Sequence, residues 1–168
     1  MKKPPLQIKR LTRNLFYRYG IAELNISINH SLIRQIYDSL IYTETETSIN
    51  TDFPEYDDTW IEICLIRDWK TQVQATQVLN LFNQLRSEFN TGIRYMSFYS
   101  AKPGLNLRRH RDLTGNLAQG FLRLHIPVIT HQDCQYLLGI TRNEISFHAE
   151  SNKIYALDTG YLHGLINN

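Results

Sequence analysis

The chain has 168 residues, a length that fits one domain around one core. Apolar residues make up 42% and charged residues 20%, an ordinary globular balance, and 18 basic against 16 acidic residues leave a formal net charge of +2, too little for a protein whose main partner is nucleic acid. No apolar run is long enough to cross a bilayer, and the basic start MKKPPLQIKRL lacks the apolar block of a secretory signal. The two cysteines, Cys64 and Cys134, have neither metal-ligand nor disulfide spacing, so a reduced, cytoplasmic location is expected.

In chain order, SLIRQIYDSL carries Leu32, Ile33, Ile36, Tyr37 and Leu40 at steps of three and four, which predicts a helix with Asn29 or Ser31 as N-cap. TETETSINTDFPEYDDT, Thr43 to Thr59, is polar and acidic and reads as a loop with solvated carboxylates. TWIEICLI, Thr59 to Ile66, suits a pleated surface. ATQVLNLFNQLRSEF predicts a second helix that buries Val78, Leu79, Phe82, Leu85 and Phe89. Strands follow at IRYMSFYS (93–100), FLRLHIPV (121–128), EISFHA (144–149), KIYALD (153–158) and YLHGLI (161–166). The turn signals KPG, TGN, THQD, TRN, ESN and DTG lie between them. Many short strands at close intervals predict a mainly β fold, a sandwich, jelly roll or barrel, with the helices packed on one outer face.

LNLRRHRDLTGN, Leu105 to Asn116, crowds three arginines and a histidine into positions 108–111, and Asp112 follows. In a strand, His110 and Asp112 share a face, and an imidazole nitrogen with a carboxylate oxygen suits a borderline divalent metal. His163 lies beyond positions 113–162, enough chain for about four strands to lap a small jelly roll and return beside the first ligand. H-x-D with a distant histidine is the ligand set of non-haem Fe(II) oxygenases. The competing reading is a surface RRHRD in which the aspartate only offsets its neighbours' charge.

In LRLHIPV, alternation puts Arg123 and His125 on one face and Leu122, Leu124 and Ile126 on the other, the core face. Two cation-capable groups aimed into a barrel need an anion between them, whereas on an outer face they need nothing. Asp158 either supports a metal ligand or fixes the turn DTG through its own side chain. His131 reads as a loop residue, His148 as a strand residue without a role and Cys64 as core. No G-x-S-x-G, P-loop or dinucleotide fingerprint is present.

Together, KPGLNLRRHRD, LRLHIPV and KIYALDTGYLHGLIN resemble the aspartyl/asparaginyl β-hydroxylase family of Fe(II)- and 2-oxoglutarate-dependent dioxygenases. The Pro-Gly pair before His110, the R-x-H strand, Asp158 ahead of His163 and Asn167 after it carry the likeness, strongest from Ile93 onward. The HRD triplet and the WIEICLIRD strand look most like the L-proline cis-4-hydroxylase-like bacterial branch. The resemblance implies a double-stranded β-helix, a cupin-like jelly roll, as one domain over 1–168. It implies His110, Asp112 and His163 as catalytic residues and metal ligands, and Arg123 and His125 as cofactor-binding residues at one carboxylate of 2-oxoglutarate. It implies hydroxylation by molecular oxygen of an amino acid, free or in a peptide, with release of succinate and carbon dioxide.

Family members usually carry a further arginine in a strand after the distal histidine. None follows His163, so the domain is expected to lack that strand, with another cation such as Arg94 as substitute. A catalytically inactive jelly-roll binding protein is the alternative. A nucleic-acid module built on Arg108, Arg109 and Arg111 is a second alternative, opposed by the charge balance. Trp60 and Arg67 are candidate pocket residues, weighed against plain core or surface positions.

Overall fold

A computed structural model describes residues 16, 18–26, 28–41, 48–49, 59–68, 70–71, 76–89, 92–140 and 142–168. The elements are β1 (Ile21–Leu24), α1 (His30–Ile41), β2 (Ser48–Ile49), β3 (Trp60–Arg67), β4 (Lys70–Thr71), α2 (Thr76–Phe89), β5 (Met96–Ala101) and β6 (Leu105–His110). A 3-10 turn, Leu117–Gln119, precedes β7 (Arg123–His125), β8 (Cys134–Leu138), β9 (Ile145–Phe147), β10 (Ile154–Leu157) and β11 (His163–Asn167). Every strand pairing is antiparallel, so the described chain is mainly β, as the turn spacing predicts. No helix among the described residues is long and apolar enough to cross a membrane. The chain divides into two compact units, residues 28–102 and the remainder.

In the unit 28–102, β3 pairs with β5 on one side and with β2 and β4 elsewhere along its length. Alternation sends Ile63 and Leu65 into the core. Tyr37 of α1 meets Phe98 of β5 edge to face, with ring centroids 5.4 Å apart, so α1 lies on this apolar face. Asn29 is the N-cap of α1: its Oδ1 accepts from the Leu32 N–H at 3.0 Å and from the Ser31 hydroxyl at 2.7 Å. Ile33, Ile36 and Leu40 are buried.

The second helix corrects the sequence reading. It buries Val78, Leu81, Leu85 and Phe89, whereas Leu79 is exposed and Phe82 only partly covered. Steps of three, four and four residues from Val78 hold one stripe, and Leu79 falls about 100° off it. Cys64 is half-buried rather than core, on the polar face of β3 that also carries Glu62. Glu62 is buried, and its Oε1 accepts from the hydroxyls of Tyr95, Ser97 and Tyr99. Arg67 is exposed. The Trp60 side chain and most of the predicted 43–59 loop lie outside the described residues.

The other unit holds two sheets, ordered β1-β10-β7 and β6-β11-β8-β9. Ile21, Tyr155 and Leu157 from the first, with Tyr19 just before β1, pack with Leu138 and Ala149, and Tyr136, Ile145 and Phe147 of the second close against them. The two sheets therefore face each other across one core. All of β10 is buried, and its IYAL residues are apolar on both faces accordingly. β7 is shorter than LRLHIPV suggests: it stops at His125, two residues before Pro127, and Leu122 is 38% exposed, so only part of its apolar face is core. β1 and β8 carry no clear alternation and are absent from the sequence reading.

Candidate metal centre

β6 and β11 run side by side, and their register sets His110 directly opposite His163. The imidazole centroids are 4.5 Å apart. Gly164 follows at a register shift in β11, where no side chain fits: a Cβ there would lie 2.7 Å from the Leu107 carbonyl oxygen. The close approach of the two strands at the histidines thus depends on a glycine.

Each imidazole is held by a main-chain carbonyl two residues upstream. His110 Nδ1 bonds to Arg108 O at 2.8 Å and His163 Nδ1 to Tyr161 O at 2.9 Å. A carbonyl only accepts, so Nδ1 carries the proton, and in the neutral ring Nε2 keeps its lone pair. Both histidines are in the tautomer that a metal bound at Nε2 needs.

Asp112 stands two residues past the end of β6, so a common strand face is not what brings it to His110. Loop contacts do so. The Asp112 N–H donates to Thr159 O at 2.9 Å, and Asn116 Nδ2 donates to Asp112 O at 3.0 Å. Asp158 Oδ1 accepts from the N–H groups of Gly160 and Leu117, each at 3.1 Å. It fixes its own turn and also ties the segment after β6 to the turn before β11. In the resulting cluster, Asp112 Oδ1 is 3.4 Å from His110 Nε2. One ligand-type atom from each of His110, Asp112 and His163 lies within 4.8 Å of the other two, and no other such group of histidine, cysteine or acidic residues occurs among the described residues.

Arg123 and His125 share a face of β7 and reach the cluster from the opposite sheet. Arg123 donates to Asp112 Oδ2 at 2.8 Å, leaving Oδ1 turned toward His110. His125 Nδ1 lies 2.6 Å from the Tyr136 hydroxyl of β8, while its Nε2 is sealed from solvent with no partner among the described residues.

Protonation follows from these contacts. Burial raises the Asp112 carboxyl, but the His110 hydrogen bond and the Arg123 charge outweigh it and bring the group down to about 2. The bond to Asp112 raises His110, against an opposing effect of burial. Burial lowers His163, and burial with the nearby Arg123 and His163 charges lowers His125 to about 3. At neutral pH the Asp112 carboxylate is ionised and the buried His163 and His125 rings are neutral, whereas His110 must give up the proton that its bond to Asp112 favours before its Nε2 can bind a metal.

The other expected residues have these surroundings. Arg94, the suggested substitute anchor, pairs with Asp68 at 2.8 Å within the unit 28–102. Arg109 pairs with Glu144, and Arg108 and Arg111 are exposed. His131 pairs with Asp133 at 3.1 Å in a loop, and His148 Nδ1 bonds to Cys134 O at 3.1 Å. Tyr136 and Asn116, which contact the site, are missing from the sequence reading. The QYLL stretch bears no chemical signature, and Asn116 sits in a turn signal.

No curated protein matches the chain. A family model described as aspartyl/asparaginyl beta-hydroxylase matches residues 29–168, a span that contains His110, Asp112 and His163 and both β7 residues beside them. The chain therefore belongs to the aspartyl/asparaginyl β-hydroxylase family, a family of hydroxylases.

Proposed function

We propose that this protein is an Fe(II)- and 2-oxoglutarate-dependent dioxygenase that hydroxylates an amino acid, free or within a peptide, and releases succinate and carbon dioxide. The observation that carries the reading is the donor set: two imidazoles whose Nε2 lone pairs are freed by Nδ1 bonds to carbonyls, and one ionised carboxylate, gathered at one point. Two histidines and one carboxylate on one side of a metal leave coordination positions open, the arrangement suited to Fe(II) that must also take cosubstrate and oxygen. The two facing antiparallel sheets agree with a double-stranded β-helix, and the likeness to the L-proline cis-4-hydroxylase-like branch favours an amino-acid substrate.

His110, Asp112 and His163 would hold the metal. Arg123 keeps Asp112 Oδ2 occupied, so the carboxylate offers Oδ1, and the remaining guanidinium N–H groups are available to a carboxylate of 2-oxoglutarate. His125 would meet the same carboxylate with its unfilled Nε2. Bound iron with 2-oxoglutarate and oxygen supplies the oxidising power that turns C–H into C–OH. The burial of His163 and of His125 Nε2 keeps water from the inner wall of the site.

The test is succinate release from protein supplied with Fe(II), ascorbate, 2-oxoglutarate and a panel of amino acids and peptides. Substrate-dependent succinate, with one oxygen atom added to the substrate by mass spectrometry and loss of both in His163→Ala, is the expected result. Binding of 2-oxoglutarate without turnover on any panel member would instead leave an inactive binding protein of the same fold.

A further inference from the structure

Tyr136 and His125 form a buried pair that the ligand set does not include. Tyr136 belongs to β8, and its place is set by pairing with β11, where it stands opposite Leu165, two residues from His163. Its hydroxyl is 2.6 Å from His125 Nδ1, with the rings edge to face at 5.4 Å.

Two hydrogen arrangements are conceivable across that bond. If His125 Nδ1–H donates to the phenol oxygen, the phenol hydrogen has no acceptor and Nε2 is a bare lone pair with no donor, so two buried groups go unsatisfied among the described residues. If the phenol donates to Nδ1, the only unsatisfied group is Nε2–H. Each arrangement leaves one buried polar hydrogen unpaired, but the first also strands the Nε2 lone pair, so the second arrangement wins. It is the reverse of the tautomer in His110 and His163, whose Nδ1 atoms face carbonyls. Three histidines of one unit thus divide by partner: two backed by acceptors offer lone pairs, and one backed by a hydroxyl offers a donor.

We propose that Tyr136 is a positioning residue that fixes His125 as an Nε2–H donor, so that it grips an anionic oxygen of the cosubstrate instead of acting as a further metal ligand. This rests on the 2-oxoglutarate reading for the identity of the anion but not for the tautomer.

The experiment is long-range 15N–1H correlation NMR of the histidine-labelled protein, metal-free and with Zn(II) as a diamagnetic metal, in wild type, Tyr136→Phe and His125→Gln, beside calorimetric titration with 2-oxoglutarate. The expected wild-type spectrum contains an Nε2-protonated histidine signal that is absent from His125→Gln, and that signal moves toward a tautomer mixture in Tyr136→Phe. Affinity for 2-oxoglutarate in Tyr136→Phe falls about tenfold, the range set by a hydrogen bond to a charged group. His125→Gln keeps an N–H donor, and adding Tyr136→Phe to it costs little more. A wild-type His125 protonated at Nδ1, or a tautomer unmoved by Tyr136→Phe, overturns the proposal, and the wild-type spectrum alone decides if Tyr136→Phe does not fold. Failure of wild type to bind 2-oxoglutarate, with the tautomer as stated, sinks the cosubstrate reading and leaves the Tyr136 role standing.

Discussion

The burial of His125 makes a quantitative statement about acid stability. Its folded pKa of about 3 lies below the ordinary 6.5, so in the window between these values the unfolded chain binds a proton that the folded chain refuses. Stability contributed by the neutral ring is complete above about pH 6.5 and is lost as pH falls through that window. At pH 4.5 about two pH units of it have been crossed, and at ~1.4 kcal/mol per unit the loss is about 3 kcal/mol. The assay is urea unfolding of metal-free protein at pH 7.5 and 4.5, for wild type and for His125→Gln, whose amide does not titrate. His110, His163 and the carboxylates titrate in both proteins, so their contribution cancels in the difference. Wild type is expected to lose about 3 kcal/mol more than the variant, a further drop of roughly 1 M or more in urea midpoint. Equal losses in the two proteins would show that His125 is protonated in the folded state near neutrality, and the sealed-ring geometry would be wrong.

Four other outcomes are expected. Metal analysis should find close to one equivalent of iron in reconstituted wild type and little in His110→Ala or His163→Ala, since each removes one of three ligands. Metal affinity, measured against a competing chelator, should fall as pH drops through the raised pKa of His110, because a proton then occupies the ligand nitrogen; Asp112→Asn, which removes the cause of that rise, should bind more weakly and shift the fall to lower pH. Gly164→Ala should force β11 away from the Leu107 carbonyl, costing about 1–3 kcal/mol in thermal unfolding and displacing His163 enough to lower metal occupancy. Leu138→Ala empties a wholly buried position between the sheets and should cost about 2–5 kcal/mol in denaturant unfolding while leaving metal stoichiometry intact in the folded protein.

The sequence alone determined what is local or periodic. The α1 stripe with its Asn29 cap, the strands β3, β5, β9, β10 and β11, and the common face of Arg123 and His125 all follow from repeats of 3.6 or 2 residues that chain geometry imposes. The residue types of the triad were legible as one of two readings, since a histidine and a carboxylate two positions apart with a distant histidine also suit a surface charge cluster, and the ordered motifs of the resemblance favoured the metal. Packing decided the rest. The stripe of α2 took Leu81 in place of Leu79, a shift that periodicity tolerates and only the facing surface resolves. Asp112 reached His110 through loop hydrogen bonds to Thr159 and Asn116 after the strand had ended. The Tyr136 bond to His125 joins side chains of different sheets, and the Arg123 bond to Asp112 joins β7 to the segment that follows β6. Such contacts, and the histidine tautomers they impose, depend on how the two sheets meet across their core, and no repeat along a single strand encodes that distance.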